Sequence, residues 1–316
     1  MTLGFKASEL LALAVLILAA PLTPAVSAQG SPAEANKAII RRFVDEAWNQ
    51  GNFANLDSLV SPDTIVHHYL IGTLTGKDAV IGWIGYARSL VPDLRVTIER
   101  LVAEGDQVVM HWSSRGTYAD PALSWPANQY SGSGLIVYVL KDGLIVEQWY
   151  SADSLLEAQG GQPSPQAPAA PDAARTDASK AVVSQALEFV NGHDLDTLDA
   201  HFSPTVAIHA TSAQPLAVDY YGLDGARAYY EALFAAFPDL TYQADDVIAE
   251  DNLVMVRWTA RGTFSGEYQG VSGGGQPVEV AGISLWRVAD GKIAELWVSM
   301  DTLKLLQEMG IIPAAQ

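Results

Sequence analysis

Two segments of the chain carry one spacing of potentially reactive groups: Glu147-x-Trp149-x-Ser151-x-Asp153 and Glu295-x-Trp297-x-Ser299-x-Asp301. On a β-strand, side chains alternate faces with period two, so all four groups of each segment share one face. Leu296, Val298 and Met300 take the opposite face of the second. An aromatic, partly dry wall raises the pKa of a carboxylate and brings it toward useful basicity. The expected chemistry is proton transfer by Asp301, with Asp153 as its counterpart, in pockets walled by Trp297, Ser299 and Trp149. A plainer use competes. Asp301 precedes Thr302-Leu303-Lys304-Leu305-Leu306, and Asp is a favoured helix N-cap.

His209 and His67 end an earlier short strand in equivalent places. A cavity histidine there orients a carbonyl or shares a proton with the aspartate; a polar strand-end histidine is the bland reading. His68 ranks lower, because Ala210 replaces it in the other segment. Arg257 and His111 are equivalent in a long strand. A cavity arginine stabilises an enolate or binds a carboxylate, whereas an exposed or interface arginine does neither. Both faces of that strand are apolar, so its phase stays open. Arg115 and Arg261, each beside Gly-Thr, read as structural. A metal site is not expected: the six histidines are scattered, no pair has ligand spacing beside carboxylates, and cysteine is absent. No phosphate loop, nucleotide fingerprint or Ser-His-Asp order stands out.

The elements that position these residues follow from periodicity. Ile39, Ile40, Phe43, Val44, Ala47 and Trp48 recur at helical spacing in residues 33–50. A short helix is expected over Asn55–Val60, stopped by Ser61-Pro62, then a strand through Ile65 and His67. A helix over Lys77–Leu90 ends before Pro92. Strands are expected at Leu94–Ala103, Gln107–Tyr118, Gly134–Leu140 and Leu144–Ser151, the last two joined by the hairpin dipeptide Asp142-Gly143. Helices followed by an antiparallel meander give an α+β domain with helices on one face of a curved, mostly antiparallel sheet.

This pattern occurs twice. Val91-Pro92-Asp93-Leu94 matches Phe237-Pro238-Asp239-Leu240, and Arg115-Gly116-Thr117 matches Arg261-Gly262-Thr263. Ala103-Glu104 before Val108 matches Ala249-Glu250 before Val254, and Asp142-Gly143 matches Asp290-Gly291. The Pro/Ala/Gln-rich stretch between the copies has linker composition. The expected layout is a signal peptide at 1–28, a first domain at 29–157, a linker at 158–177 and a second domain at 178–316.

The motif set is a helix ending Trp-Asn-x-Gly, Ser-Pro before a strand ending in His, Phe-Pro-Asp-Leu, Trp-Thr-Ala-Arg-Gly-Thr, and Asp-Gly-Lys-Ile-x-Glu-x-Trp with Asp four residues on. It resembles the SnoaL-like polyketide and ester cyclases, within the cone-shaped superfamily of nuclear transport factor 2. The resemblance covers nearly all of 178–312, and 35–157 less cleanly. It implies two tandem cone-shaped, cystatin-like α+β barrels. It also implies a cofactor-free, aldol-type ring closure, with Asp301 and Asp153 at the family's acid/base position. A non-catalytic module that binds an apolar ligand in the cone is the alternative. The second copy has the longer C-terminal helix and is expected to hold the better-formed site.

A formal charge of −18 over 316 residues repels phosphate backbones and anionic headgroups, so nucleic acid and membrane surfaces are poor partners. The expected partner is a small apolar carbonyl compound. Two copies on one chain can also form an intramolecular pseudo-dimer. Lys6, the apolar run Leu10–Ala20 and the small residues before Ala28 form an export signal with cleavage after Ala28. The run is shorter than the roughly 20 residues that span a bilayer. The mature protein is therefore expected outside the cytoplasm.

Overall fold

The computed structural model describes residues 31–68, 72–120, 129–152, 172–211, 218–268 and 270–311. The segment expected as an export signal, Asp153 and most of the expected linker lie outside them.

The first domain begins with helix α1 (Pro32–Phe43), capped by Ser31, whose hydroxyl accepts from the Glu34 amide. A π-helical stretch over Val44–Asn49 continues it. Strand β1 (Val60–His68) and short β2 (Gly72–Thr75) precede helix α2 (Lys77–Leu90). The meander β3 (Arg95–Glu104), β4 (Gln107–Thr117), β5 (Gln129–Lys141) and β6 (Leu144–Ala152) completes the sheet. Its order is β2-β1-β6-β5-β4-β3, antiparallel except for the parallel pair β1–β6.

The second domain repeats this plan. Helix α3 (Ala173–Gly192) starts inside the segment expected as linker, with Asp172 as its N-cap. Helix α4 (Leu198–His201), strand β7 (Phe202–Thr211), strand β8 (Val218–Tyr221) and helix α5 (Gly222–Ala236) follow. Then come β9 (Thr241–Glu250), β10 (Leu253–Phe264) and the small β11–β12 hairpin (Glu267–Tyr268, Val271–Ser272). Strands β13 (Gln276–Ala289) and β14 (Lys292–Met300) and helix α6 (Thr302–Glu308) close the domain. The sheet order is β8-β7-β14-β13-β10-β9, strand for strand that of the first domain.

The repeated motifs are joints of this plan. Asp93 takes the Thr117 amide at 2.6 Å and hydroxyl at 3.0 Å, and Asp239 takes those of Thr263 at 2.6 and 2.7 Å. The glycine before each threonine is where the helix end presses on the strand. A Cβ on Gly116 would meet Val91 Cγ1 at 2.2 Å, and one on Gly262 would meet the Leu240 Cα at 3.3 Å. Asn49 and Asn191 each splint the first strand of the meander, bonding both backbone groups of Val96 and Tyr242. Asp142-Gly143 and Asp290-Gly291 all have positive φ, as tight hairpins of this type demand.

One expected element differs. The stretch Asn55–Val60 holds only a 3-10 turn at Leu56–Ser58, and β1 already starts at Val60, running through Ser61-Pro62. Pro62 lacks an amide donor, and the β1–β6 register is interrupted between Val60 and Ile65, where it sits.

Each domain has its own core between helices and sheet. A third apolar cluster joins the outer faces of the two sheets. Val102, Val109, Leu135 and Val137 of the first meet Ile248, Met255, Ile283 and Leu285 of the second. Near its centre the equivalent serines Ser151 and Ser299 bond at 2.9 Å. Glu250 accepts from Lys37 and the Ala103 amide, and Glu104 from Lys180 and the Ala249 amide. The contact is thus reciprocal between the copies, as in a two-fold dimer.

Candidate functional site

The strand alternation around Trp297 holds, but the face it defines is the outer one. Leu296, Val298 and Met300 belong to the core inside the second cone, while Trp297 belongs to the cluster between the two sheets. Trp149 packs on that cluster from the first domain. His111 tilts against Trp297 across the domains at 5.6 Å, and Arg257 lies over Trp149 at 5.3 Å. Trp297, Ser299, Trp149, His111 and Arg257, expected as pocket residues, are therefore interface residues. Period two separates the two faces of a strand but does not say which is concave. Both faces here are buried, so apolarity does not say it either.

His209 and His67 lie on the same outer face. Their strand neighbours Ile208, Ala210 and Val66 point into the cones. His67 Nε2 is 2.8 Å from Glu147 and its ring stacks on Trp149 at 5.1 Å. His209 stacks on Trp297 at 5.4 Å, with Asp219 at 3.0 Å from Nδ1 and Glu295 at 3.3 Å from Nε2. Tyr221 donates to Asp219, and Arg287 to Glu295 at 2.8 Å. His209 pairs with Trp297 in the parallel ladder. Four residues at about 3.3 Å each place Asp301 roughly 13 Å further along. The expected partnership of Asp301 with His209 therefore does not form.

His209 and His111 are shifted in opposite senses. Burial disfavours the charged form of His209, but hydrogen bonds and charges from Asp219 and Glu295 win and push its pKa up to about 9. Its stabilisation is therefore complete below the unfolded value near 6.5 and is lost as pH rises through about 9. His111, held down first by burial and then by Arg100, falls to about 3, so it stays neutral. Wild type should lose about 2 to 3 kcal/mol between pH 6.5 and 10 through His209. His209→Gln should lack that component. Urea unfolding of both proteins across this range measures it, and an equal alkaline loss in the two would refute the assignment.

Asp301 leaves the strand altogether. It caps α6, accepting from the Lys304 amide at 2.9 Å, so the capping reading is correct as far as it goes. Its carboxyl is also half-buried, and its pKa is raised, chiefly by that burial, against the Lys304 hydrogen bond. Next to it the Thr302 hydroxyl is buried without a partner among the described residues. Asp301 lies between Met300 and Leu305, and both line a cleft in the second cone. Leu233, Phe237, Tyr242 and Trp258 wall the same cleft, whose interior volume is about 30 Å³. A capping carboxyl of raised pKa and a buried hydroxyl thus stand where the strand and the helix that supply Met300 and Leu305 to the cleft join, although neither Asp301 nor Thr302 lines it. Thr302 was not singled out from sequence, where it reads as an ordinary first helical residue. Among the described residues, no cluster of His, Asp or Glu could hold a metal ion.

The paired six-stranded sheets with helices inside each cone define two tandem α+β domains of the nuclear transport factor 2 type. Residues 180–309 match the model of the SnoaL-like polyketide cyclases, and residues 40–148 that of the SnoaL-like domain. The chain belongs to the SnoaL-like family and carries its domain twice. Among solved structures it is similar to IdmH of Streptomyces antibioticus, named as a polyketide cyclase. The identity is 31% over 42% of this chain and 98% of that one, with a TM-score of 0.37. It is similar to AclR of Streptomyces galilaeus, named as a hydroxylase, at 27% identity over 45% and 86% of the chains, TM-score 0.40. A SnoaL-like polyketide cyclase of Jannaschia is 23% identical over 49% and 100%, TM-score 0.40. No curated protein matches the chain.

Proposed function

We propose that the second domain performs cofactor-independent acid/base chemistry of the cyclase type on a small apolar carbonyl compound, with Asp301 as the proton carrier. The observation that supports this most is the half-buried Asp301 carboxyl of raised pKa, which caps the helix whose Leu305 lines an apolar cleft. The carboxylate takes a proton from the carbon next to one carbonyl. The resulting carbanion bonds to the carbon of a second carbonyl in the same molecule. The protonated Asp301 then returns the proton to the new alkoxide, so the product is an isomer of the substrate. Thr302 donates to whichever oxygen carries the developing charge. With residues 1–28 read as an export signal, this activity belongs outside the cytoplasm. The test uses 2,6-heptanedione, whose carbonyls can close a six-membered ring, with solvent deuterium exchange next to the carbonyl as a second readout. Exchange and closure above buffer that vanish in Asp301→Asn support the reading; wild-type rates equal to buffer or to the variant refute it.

One observation favours a second reading, that of a ligand-binding module. Among the residues lining the cleft only Arg261 is charged, and it is engaged by Glu279 and Gln243. A binding module predicts affinity for apolar ligands that does not respond to Asp301→Asn.

A further inference from the structure

Strand β13 outruns the strand beside it. It spans Gln276–Ala289, but β14 pairs with it only back to Gly282, opposite Met300. Residues 276–281 pair with β10 along one edge and have no β14 partner along the other. Helix α6 lies on that open edge and is tied to it at both ends. At its start the Asp301 amide donates to the Ala281 carbonyl at 3.3 Å. At its end the Glu308 carboxylate accepts from the Glu279 amide at 2.6 Å. Alternate residues of a strand turn their backbone groups to the same edge, so Glu279 and Ala281 present theirs to α6 together.

The tie at Glu308 acts beyond its own turn. A helix of seven residues falls well short of the roughly 12 to 15 that hold a helix together alone in water, so α6 keeps its place through the sheet. Leu305 and Met309 supply the apolar part of that contact, buried in the core of the second domain. The polar part runs as one chain. Glu308 Oε2 holds the Glu279 amide, Glu308 Oε1 lies 3.4 Å from Lys304 Nζ, and the Lys304 amide donates to the Asp301 carboxyl at 2.9 Å. Lys304 and Glu308 are the charged groups that act on Asp301, and burial acts on it more strongly than either. What holds α6 down therefore decides the state of Asp301.

We propose that Glu308 is a positioning residue for Asp301: its carboxylate clasps α6 to the open edge of β13 and so keeps the Asp301 carboxyl in its half-buried seat. The functional meaning of the clasp rests on Asp301 as proton carrier, whereas the clasp itself is measured without substrate.

The test is a crossed pair of conservative variants in the full chain. Glu308→Gln keeps the length and an acceptor oxygen but loses the charge. Glu308→Asp keeps the charge but loses the reach. Glu308 is 28% exposed at a helix end, so neither change should unfold the domain. Carbon-13 titration of Asp301 is the first readout and hydrogen exchange at the Glu279 amide the second. Asp301 should titrate close to wild type in Glu308→Gln and fall toward the ordinary aspartate value in Glu308→Asp. The Glu279 amide should exchange about tenfold faster in Glu308→Asp, the worth of one hydrogen bond. The reverse order would mean that Glu308 acts through its charge alone and would overturn the clasp. Equal shifts of Asp301 in the two variants, including none, or equal Glu279 exchange in all three proteins would overturn it too. Deuterium exchange into 2,6-heptanedione should fall in Glu308→Asp and stay near wild type in Glu308→Gln. If the titrations follow the clasp while Asp301→Asn leaves that exchange unchanged, the proton-carrier reading fails and the clasp stands.

Discussion

Asp301→Asn should lower turnover by a factor of about 100 to 10,000, the range of general acid/base contributions, while the protein stays folded. The substitution separates the capping role that the structure shows from the proposed role as proton carrier. As a cap, Asp301 gives a carboxyl oxygen to the Lys304 amide, and asparagine caps helices about as well. As a base it must bind a proton, and an amide does not. Alanine would be a poor test, because loss of the cap alone costs roughly 1 kcal/mol and could unseat α6 from the cleft. A measurement without substrate bears on the same point. Burial should hold the Asp301 carboxyl above its ordinary value in a carbon-13 titration of the whole chain. Since the folded pKa is raised, the carboxyl favours the folded state when protonated, and this benefit is complete below the unfolded pKa and lost as pH rises through the folded one. An Asp301 that titrates at or below the ordinary value would leave capping as its whole role.

The joints of each domain were legible because they depend on local rules. Lys77–Leu90 ends where Pro92 forbids more helix, and Asp142-Gly143 turns because those residues tolerate positive φ. The repeat was legible because Asp93–Thr117 and Asp239–Thr263 do the same work twice. The phase of the long strands was not. Glu295, Trp297 and Ser299 share a face, but sequence shows no difference between a face that lines a cavity and one pressed against a neighbouring sheet. His111 and Arg257 were misplaced for that reason. Asp301 was legible by type and its cap by rule; its burial depends on tertiary packing that periodicity does not resolve.

The interface between the domains carries the largest expected effect on stability, and the effect should be lopsided despite the symmetry. Lys37 lies 2.6 Å from Glu250 Oε1, and its side chain is 4% exposed. Glu250 also takes the Ala103 amide at 3.0 Å. Glu250→Ala leaves a buried ammonium with only the half-exposed Glu34 beside it, and leaves that amide without its acceptor. Breaking a buried pair from one side costs roughly 3 to 5 kcal/mol, and Glu34 should hold the loss near the lower end, about 3. The counterpart pair, Lys180 with Glu104, is 31% and 41% exposed. Water screens it, so Glu104→Ala should cost only about 1 kcal/mol, much of it from the Ala249 amide. The double change Lys37→Met with Glu250→Leu should recover most of the loss, because the cost lies in the orphaned charge rather than in the missing attraction. Urea unfolding of the three variants measures the series. Equal losses for Glu250→Ala and Glu104→Ala would mean that Lys37 is hydrated in solution and that the two halves of the interface are energetically alike.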